Sequence, residues 1–313
     1  MSLADHVRTL GRGPGRSRSL TLDEAREAMT LMLDGAAPEA VGALLMLLRM
    51  KGETAEEIAG LAEAAQMALD PLPQADLDWP CYAAGRTRGQ PWFLLAAKLL
   101  ATNGTRVMLH GWNGADGAVR DGVAELGIPV ACNAATAKAA MDRAGIVYLP
   151  LEEMHPSLFA LLNLRGVLGL RSCVNTVCRM LNPGRAKASV QGVFHPSYRL
   201  LQADAAALLG WRALSVLKGG GGEFERHPGK AITAFGLREG QGWTDVFPAR
   251  SEDGRRLSDL DVPVQALTVL WEDDEGPAFA RDLVLGTAEM ALHTLGRSGA
   301  TDMWAARPQL QAA

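Results

Sequence analysis

The chain has 313 residues, a formal net charge of −4 and an apolar fraction of 48%. A chain of this size can bury one large core or two smaller ones without help from metals or disulfides. Its apolar stretches fall short of the roughly 20 residues that a membrane span requires, and the basic N-terminus is not followed by an apolar signal core. We therefore expect a globular cytoplasmic protein.

The cysteines give little functional information. Cys81, Cys132, Cys173 and Cys178 are scattered among apolar neighbours. Cys173 and Cys178 have no companion histidine pair, so the pattern favours buried thiols over a metal site. We assign the cysteines no function.

Up to about residue 70, the chain carries only helical signals. Thr21 with Glu24, and Thr54 with Glu57, form capping-box pairs that mark two helix starts. Residues 40–50 are apolar on nearly every face, and a helix without a polar stripe must be covered on all sides. This helix is either the interface of a homodimer or an ordinary core helix.

From Asp70 onward, short apolar runs alternate with helical segments. The pattern predicts strands at 81–84, 106–109 and 146–149, separated by helices at 92–101 and 117–126. Such alternation gives a parallel sheet wrapped by helices. The predicted fold class is therefore α/β, with a small all-helical domain and a larger domain built on a mostly parallel sheet.

Ligands of such sheets bind beyond the carboxyl ends of the strands. The loops expected to converge there are 85–90, 110–113, 151–156 and 218–225. The last of these contains four successive glycines at 219–222. They indicate close approach of the backbone to a ligand, a mobile lid, or a plain flexible connector.

The loop 85–90 has the position of a phosphate-binding turn but different chemistry. Only Gly85 and Gly89 are glycines, and Arg86 and Arg88 supply charged side chains instead. Arginine binds phosphate, so the loop is suited to anions, but it does not resemble a cradle for a magnesium nucleotide.

Charge is distributed unevenly along the chain. No acidic residue occurs between Asp78 and Asp116, or between Glu153 and Asp204, although both stretches contain arginines and lysines. The segregation predicts one electropositive face, unless the charges are spread around the surface.

Several blocks resemble a known family, in the order in which that family has them. They are residues 42–60, Leu109-His110-Gly111, His155-Pro156 with Arg165, Leu168-Gly169-Leu170-Arg171-Ser172 with Asn175, Leu181-Asn182-Pro183, Gln191-Gly192-Val193 and 281–285. These blocks resemble anthranilate phosphoribosyltransferase and its relatives the pyrimidine nucleoside phosphorylases. The resemblance implies a helical domain at 1–73, joined by helices from about 155–183, an α/β domain at 74–313, and a homodimer through the helical domains.

The departures from the family fall on its chemistry. The glycine-rich turn for pyrophosphate aligns with Ala84-Gly85-Arg86-Thr87-Arg88-Gly89, and the following Asn-x-Ser-Thr aligns with the apolar residues 92–95. The acidic pair for magnesium is replaced by a run that leaves Glu223 and Glu225 as the candidate metal ligands. The pattern resembles the divergent, glycosyltransferase-like branch typified by YbiB, for which nucleic-acid binding is the function best suggested.

The candidate ligand-binding residues follow from the loops and from the resemblance. They are Gly85, Arg86, Thr87, Arg88, Gly89, His110, Gly111, Trp112, Asn113, His155 and Arg165. The resemblance implies that Arg165 contacts a carboxylate, whereas from the residues alone it caps helix carbonyls or pairs with Glu152 or Glu153. His110 orients a substrate or is a hydrogen-bonded structural histidine, and Trp112 stacks on a ring or fills space.

Two functions are predicted. In the favoured one, a basic groove binds the backbone of nucleic acid with little sequence preference, through Arg86, Arg88, Lys98, Arg179, Arg185 and Lys187. In the alternative, the chain is a glycosyl- or phosphoribosyltransferase for an altered aromatic or base substrate, with phosphoribosyl pyrophosphate and magnesium held by Glu223 or Glu225. A third function, that of an inert structural or interaction partner of a biosynthetic enzyme, is not distinguished from these two by the sequence. Transfer of phosphoribose to anthranilate in the tryptophan pathway is not expected, and apart from this conditional magnesium no cofactor is predicted.

Overall fold

A computed structural model describes residues 2–83, 89–112, 114, 116–256, 260 and 262–308. The chain begins with a helical domain. Its four helices are α1 (Leu3–Gly11), α2 (Leu22–Leu33), α3 (Pro38–Lys51) and α4 (Ala55–Met67). Both capping boxes are confirmed, because the hydroxyls of Thr21 and Thr54 accept from the amides of Glu24 and Glu57, whose carboxylates accept from the threonine amides.

Helix α3 is buried by its own domain on one face. Leu44 and Leu48 are fully buried against the neighbouring helices, whereas Met50 is 82% exposed. A single chain therefore leaves one face of α3 uncovered, and the homodimer interface stays a prediction. An aspartate at Leu44 or Leu48 would disrupt the core of the subunit itself, since a buried charge without a partner is costly.

The helical domain is followed by an α/β domain with a seven-stranded sheet. Its strands are β1 (Leu77–Cys81), β2 (Val107–Gly111), β3 (Ile146–Pro150), β4 (Ala188–Val193), β5 (Ala213–Lys218), β6 (Ile232–Arg238) and β7 (Gln241–Phe247). The strand order is β3-β2-β1-β4-β5-β6-β7, and the first five are parallel while β6 and β7 are antiparallel. The predicted mostly parallel sheet is confirmed.

The remaining helices of the described chain cover both faces of this sheet or return to the helical domain. They are α5 (Phe93–Thr102), α6 (Ala118–Glu125), α7 (Ala134–Ala144), α8 (Leu151–Met154), α9 (Pro156–Asn163), α10 (Arg165–Leu168), α11 (Val174–Arg179), α12 (Ser197–Leu208), α13 (Ala266–Asp273), α14 (Ala278–Thr294) and α15 (Ala300–Ala305). Among the described residues, no helix is long and apolar enough to cross a membrane.

The first strand was predicted four residues too late. Residues 81–84 were expected to form it, but β1 ends at Cys81. Pro80 lies inside β1, where a proline argues against a strand because it has no amide hydrogen to donate. The strand tolerates it, since β1 pairs with β4 only through Leu77 and Asp78.

Two main cores meet across the sheet. One buries Trp79, Phe93 and Trp271 among α5, α13 and α14. The other joins α2, α3 and α4 to the later helices α9, α11 and α12, through residues such as Leu158 and Val177. Helices distant in sequence therefore pack onto the N-terminal domain and bring the segment 165–179 to the ends of the strands.

Candidate anion-binding site

A cavity of about 330 Å³ lies between the helical domain and the carboxyl ends of β4 and β5. Among the described residues that line it, four are arginines and none is acidic. They are Arg49 of α3, Arg165 of α10, Arg171 from the turn before α11, and Arg179 of α11. Because walls of low polarisability focus the field of like charges, the cavity favours an anionic occupant.

Arg49 and Arg165 differ in how firmly the rest of the chain holds their side chains. Arg49 donates from Nη1 to the carbonyl oxygen of Arg171 at 2.7 Å, which ties α3 to the turn before α11. Arg165 is exposed at the mouth of the cavity. Glu152, one of the two acids named as alternative partners of Arg165, pairs with Arg120. Arg165 therefore stands at the mouth without that carboxylate as a partner.

Aromatic and amide side chains complete the walls. Phe194 and His195 pack edge to face at a centroid distance of 4.9 Å, and the hydroxyl of Tyr198 donates to Glu53 at 3.4 Å. Gln202 is 1% exposed, and its Oε1 accepts no hydrogen bond within the described chain. A buried amide oxygen of this kind favours a ligand with a hydrogen-bond donor.

Arg179 forms the floor of the cavity. Its Nε donates to the carbonyl of Gly192 at 3.1 Å, and its Nη2 donates to the carbonyl of Tyr82 at 3.0 Å. Its Nη1 donates to the backbone and side-chain oxygens of Asn175. Burial lowers the pKa of Arg179 and the nearby Glu223 raises it. Arg179 was predicted to contact nucleic acid, but it is buried and holds backbone carbonyls instead.

A buried polar network lies beneath this floor. His110 contacts the Tyr82 hydroxyl through Nδ1 at 2.9 Å and Asp78 through Nε2 at 3.1 Å. Ser189 donates to the other oxygen of Asp78 at 2.6 Å. Burial raises the pKa of Tyr82, so its hydroxyl stays protonated and can donate to His110. Of the two alternatives for His110, these contacts favour the hydrogen-bonded structural histidine over the orientation of a substrate.

Glu223 and Glu225 were the candidate magnesium ligands. Both are buried; Oε1 of Glu223 accepts from the Ala83 amide at 2.8 Å, and Oε1 of Glu225 accepts from the Phe93 amide at 3.0 Å. In the described part of the chain, no group of three or more His, Cys, Asp or Glu side chains could hold a metal ion. A magnesium ion needs several oxygen ligands with room for water, so these residues do not fit one.

The glycine run before Glu223 has a packing reason. A Cβ at Gly219 would lie 1.5 Å from the Glu223 carbonyl oxygen, and one at Gly192 would lie 2.0 Å from the Glu223 carbonyl carbon. Gly222 also has a φ of 98°. The backbone of 219–225 thus packs closely against β4, which favours close packing over a lid as the reason for these glycines.

Part of the predicted site lies outside the described residues, namely Gly85, Arg86, Thr87, Arg88 and Asn113. Gly89 is described and has a φ of 78°. Gly111 ends β2, where a Cβ would lie 2.0 Å from the carbonyl oxygen of Cys81. Trp112 packs edge to face on Phe159 at 5.5 Å, which supports its space-filling role.

His155 is held on both ring nitrogens. Its Nδ1 accepts from the Leu158 amide at 3.4 Å, and its Nε2 contacts the Ala65 carbonyl at 3.1 Å. It caps α9 and ties that helix to α4. Of the predicted pair His155 and Arg165, only Arg165 lines the cavity.

The structure does not bring the predicted nucleic-acid contacts to one surface. Lys98 donates to the Leu126 carbonyl at 2.5 Å and lies beside Gly145, which precedes β3. Lys187 precedes β4, and Arg185 lies in the turn before it. These three residues are at the amino edge of the sheet, whereas Arg179 is at the carboxyl edge. Burial lowers the pKa of Lys98 to about 8.

Sequence reasoning did not select several residues of the cavity, notably Arg49, Arg171, Tyr198, His195 and Gln202. One signal was present: the acid-free stretch between Glu153 and Asp204 contains three of the four arginines. Nothing in the sequence separated these three from Arg185, because that distinction depends on which end of the sheet each residue reaches.

Comparison with known proteins defines the class. The helical bundle domain of a glycosyl transferase family matches residues 4–68, and the a/b domain of that family matches residues 94–298. The second match alone covers more than half of the chain. The chain therefore belongs to this glycosyl transferase family.

Within that family, proteins of similar sequence include anthranilate phosphoribosyltransferases. Anthranilate phosphoribosyltransferase 2 of Streptomyces coelicolor is 31% identical over 297 residues, which cover 90% of this chain and 88% of that protein. The enzyme of an Anaeromyxobacter species is 33% identical over 212 residues, covering 64% of this chain and 62% of that protein. The predicted resemblance to anthranilate phosphoribosyltransferases is confirmed, whereas the YbiB-like branch stays a prediction.

Solved structures show the same fold. Anthranilate phosphoribosyltransferase (TrpD) of Thermus thermophilus has a TM-score of 0.79 at 23% identity, covering 97% of this chain and 93% of that chain. The Saccharomyces cerevisiae enzyme in complex with PRPP and Mg has a TM-score of 0.73 at 16% identity, covering 97% and 91%. At these identities the likeness establishes the fold alone.

Proposed function

We propose that this chain binds a small acidic ring compound in the arginine-lined cavity between its domains. The observation that carries the proposal is the convergence of Arg49, Arg165, Arg171 and Arg179 on one cavity whose described walls lack an acid. Planar guanidinium groups recognise carboxylates and phosphates in bidentate fashion. The volume of about 330 Å³ suits a single ring with its substituents.

The walls also favour a particular arrangement of the ligand. Arginines supply the anion contacts, Phe194 and Tyr198 supply ring surfaces, and Gln202 supplies a hydrogen-bond acceptor. A ring that carries an acid and a separate N–H or O–H donor would satisfy all three.

A second candidate is phosphoribosyl transfer to an altered aromatic or base acceptor. It is favoured by the relatives, which are named anthranilate phosphoribosyltransferases, and by the solved relative in complex with PRPP and Mg. It is disfavoured by Glu223 and Glu225, because both carboxylates already hold backbone amides. We therefore rank it second, and transfer to anthranilate at the rate of a tryptophan-pathway enzyme is not expected.

Nucleic-acid binding stays a prediction that depends on Arg86 and Arg88. Lys98, Arg185 and Lys187 lie at the opposite edge of the sheet from the cavity, so they do not extend a groove from it. The described residues favour a small anion over a nucleic-acid backbone.

The test is calorimetric titration with benzoate, 2-aminobenzoate and inorganic phosphate. We expect 2-aminobenzoate to bind most tightly, because it has both an acid and a donor. Arg165→Gln is expected to weaken its binding about tenfold, which corresponds to about 1.4 kcal/mol. The matched control is Arg143→Gln, which removes an arginine from a different cavity at the amino edge of the sheet. Equal binding by both variants would contradict the proposal.

We also propose a homodimer that uses the exposed apolar face next to the cavity. Met50 of α3 is 82% exposed and Val167 of α10 is 84% exposed. A double Met50→Asp and Val167→Asp variant is expected to sediment as a folded monomer, since neither side chain belongs to the core. Leu208→Asp, at an exposed position of α12, is the control.

A further inference from the structure

Two carboxylates of the segment 219–225 are buried at the carboxyl edge of the sheet. Glu223 is 0% exposed and accepts from the Ala83 amide at 2.8 Å. Glu225 is 1% exposed and accepts from the Phe93 amide at 3.0 Å. Charged acceptors form stronger hydrogen bonds with amides than neutral acceptors do, so these contacts fix the segment firmly.

The two amides stand on either side of the segment 84–92. Ala83 follows β1, and Phe93 is the first residue of α5. The amino end of a helix carries free amide hydrogens and a partial positive charge, both of which attract anions. Helix α5 has no side-chain cap from its own N-cap residue, Trp92. Glu225 supplies the missing negative group from 132 residues away in the chain.

Arg179, whose charge is opposite to that of the glutamates, binds the backbone carbonyl next to the Ala83 amide. Its Nη2 donates to the carbonyl of Tyr82 at 3.0 Å, while the amide of the next residue, Ala83, donates to Glu223. A buried cation and a buried anion thus bind consecutive groups of the same stretch of backbone. Each charge is compensated within the protein, as burial requires.

We propose that Arg179, Glu223 and Glu225 form an internal ion clamp that takes the place of a phosphate-bearing ligand and its metal at the ends of β1 and α5. The clamp holds the backbone at Ala83 and at Phe93 in the free protein, and it closes these two amides to magnesium pyrophosphate. The two glutamates are positioning residues and not metal ligands. This inference does not depend on what occupies the arginine-lined cavity.

The clamp and a metal-binding role predict changes of opposite sign. Titrations would use inorganic pyrophosphate, with and without Mg²⁺. If the clamp is correct, neither form changes hydrogen exchange at the Ala83 and Phe93 amides of the native chain, whereas pyrophosphate slows exchange of these amides in the Glu223→Ala/Glu225→Ala variant by about tenfold or more, equal to about 1.4 kcal/mol. If the glutamates ligate magnesium, the native chain binds magnesium pyrophosphate and Glu223→Gln or Glu225→Gln weakens that binding.

Amide hydrogen exchange tests the contacts directly and does not need a ligand. The Ala83 and Phe93 amides are expected to be protected in the native chain. Glu223→Ala is expected to raise exchange at Ala83 first, and Glu225→Ala at Phe93 first. Glu223→Gln and Glu225→Gln keep the shape of the side chain and serve if the alanine variants fold poorly.

The matched control is Glu57→Gln. Glu57 is likewise fully buried and accepts from a backbone amide, that of Leu20 at 2.9 Å, but it lies within the helical domain. It is expected to leave pyrophosphate binding and the exchange of Ala83 and Phe93 unchanged. The proposal is overturned if pyrophosphate does not protect the Ala83 and Phe93 amides in a folded double alanine variant, or if the native chain binds magnesium pyrophosphate and Glu223→Gln or Glu225→Gln weakens that binding. Benzoate-type acids test the cavity separately, so the two proposals can fail independently.

Discussion

The arginine-lined cavity and the internal ion clamp share Arg179 yet treat charge in opposite ways. In the cavity, Arg165 stands at the mouth and no described wall residue is acidic. In the clamp, Glu223 and Glu225 are buried and hold backbone amides, and Arg179 holds carbonyls. The comparison teaches that Arg179, Glu223 and Glu225 stabilise the fold through backbone partners, whereas Arg165 at the mouth is the arginine that we propose to meet a ligand.

The largest expected effect is the loss of Arg179. Arg179→Met removes the donors to the carbonyls of Gly192 and Tyr82, and it removes the cation that lies near Glu223. We expect the free energy of unfolding to fall by about 3 to 5 kcal/mol in urea titrations, because buried carbonyls lose their donor and the buried Glu223 loses a nearby cation. Arg12→Met, at an exposed position, is the control and is expected to change it by less than about 0.5 kcal/mol. Similar losses of unfolding free energy in Arg179→Met and Arg12→Met would mean that Arg179 stabilises the fold no more than an exposed arginine does.

The next effect concerns the helix that the clamp caps. Glu225→Ala leaves the Phe93 amide without this acceptor, and loss of a cap costs about 1 to 2 kcal/mol. Denaturant unfolding measures the loss. Glu275→Ala, at an exposed position before α14, is the matched control. If the two alanine variants are equally stable, Glu225 does not act as a cap.

A smaller effect on stability is expected in the cavity. Arg165→Gln is expected to change the free energy of unfolding by less than about 0.5 kcal/mol, because the side chain is exposed at the mouth. Thermal unfolding of this variant beside Arg179→Met would check the contrast. A loss comparable to that of Arg179→Met would show that the cavity arginines are structural as well.

The smallest effect is a pH dependence from His155. Burial lowers its pKa below the ordinary value of 6.5, so the folded chain binds its proton less readily than the unfolded chain. Its contribution to stability is present above the unfolded pKa and is lost as the pH falls through the folded pKa. His155→Asn keeps a capping acceptor without a titrating ring, so its stability is expected to fall less between about pH 7.5 and about pH 5.

Unfolding titrations across this pH range measure the difference between the native chain and His155→Asn. His227 and His293 also have pKa values lowered by burial, so part of the slope remains in the variant. An unchanged slope would mean that His155 is not the buried neutral histidine described above.

Local patterns determined much of the fold. The capping boxes at Thr21 and Thr54 marked two helix starts, because their contacts lie within three residues. The alternation of apolar runs and helices gave the parallel sheet, because parallel strands need crossover connections. The strand before the loop 85–90 was misplaced, since Pro80 is disfavoured in a strand and its tolerance depends on where β1 separates from β4.

The site depended on tertiary structure. Acid-free stretches indicated an electropositive region, yet they could not separate Arg171, which lines the cavity, from Arg185 at the opposite edge of the sheet. Glu225 was visible as an acid in the right segment, but its partner is the amide of Phe93, which is far away in the sequence. The sequence gives the chemistry of each side chain, whereas its interaction partner depends on which strand and helix ends the fold brings together. For a charged group, that partner decides between a structural contact and a binding site.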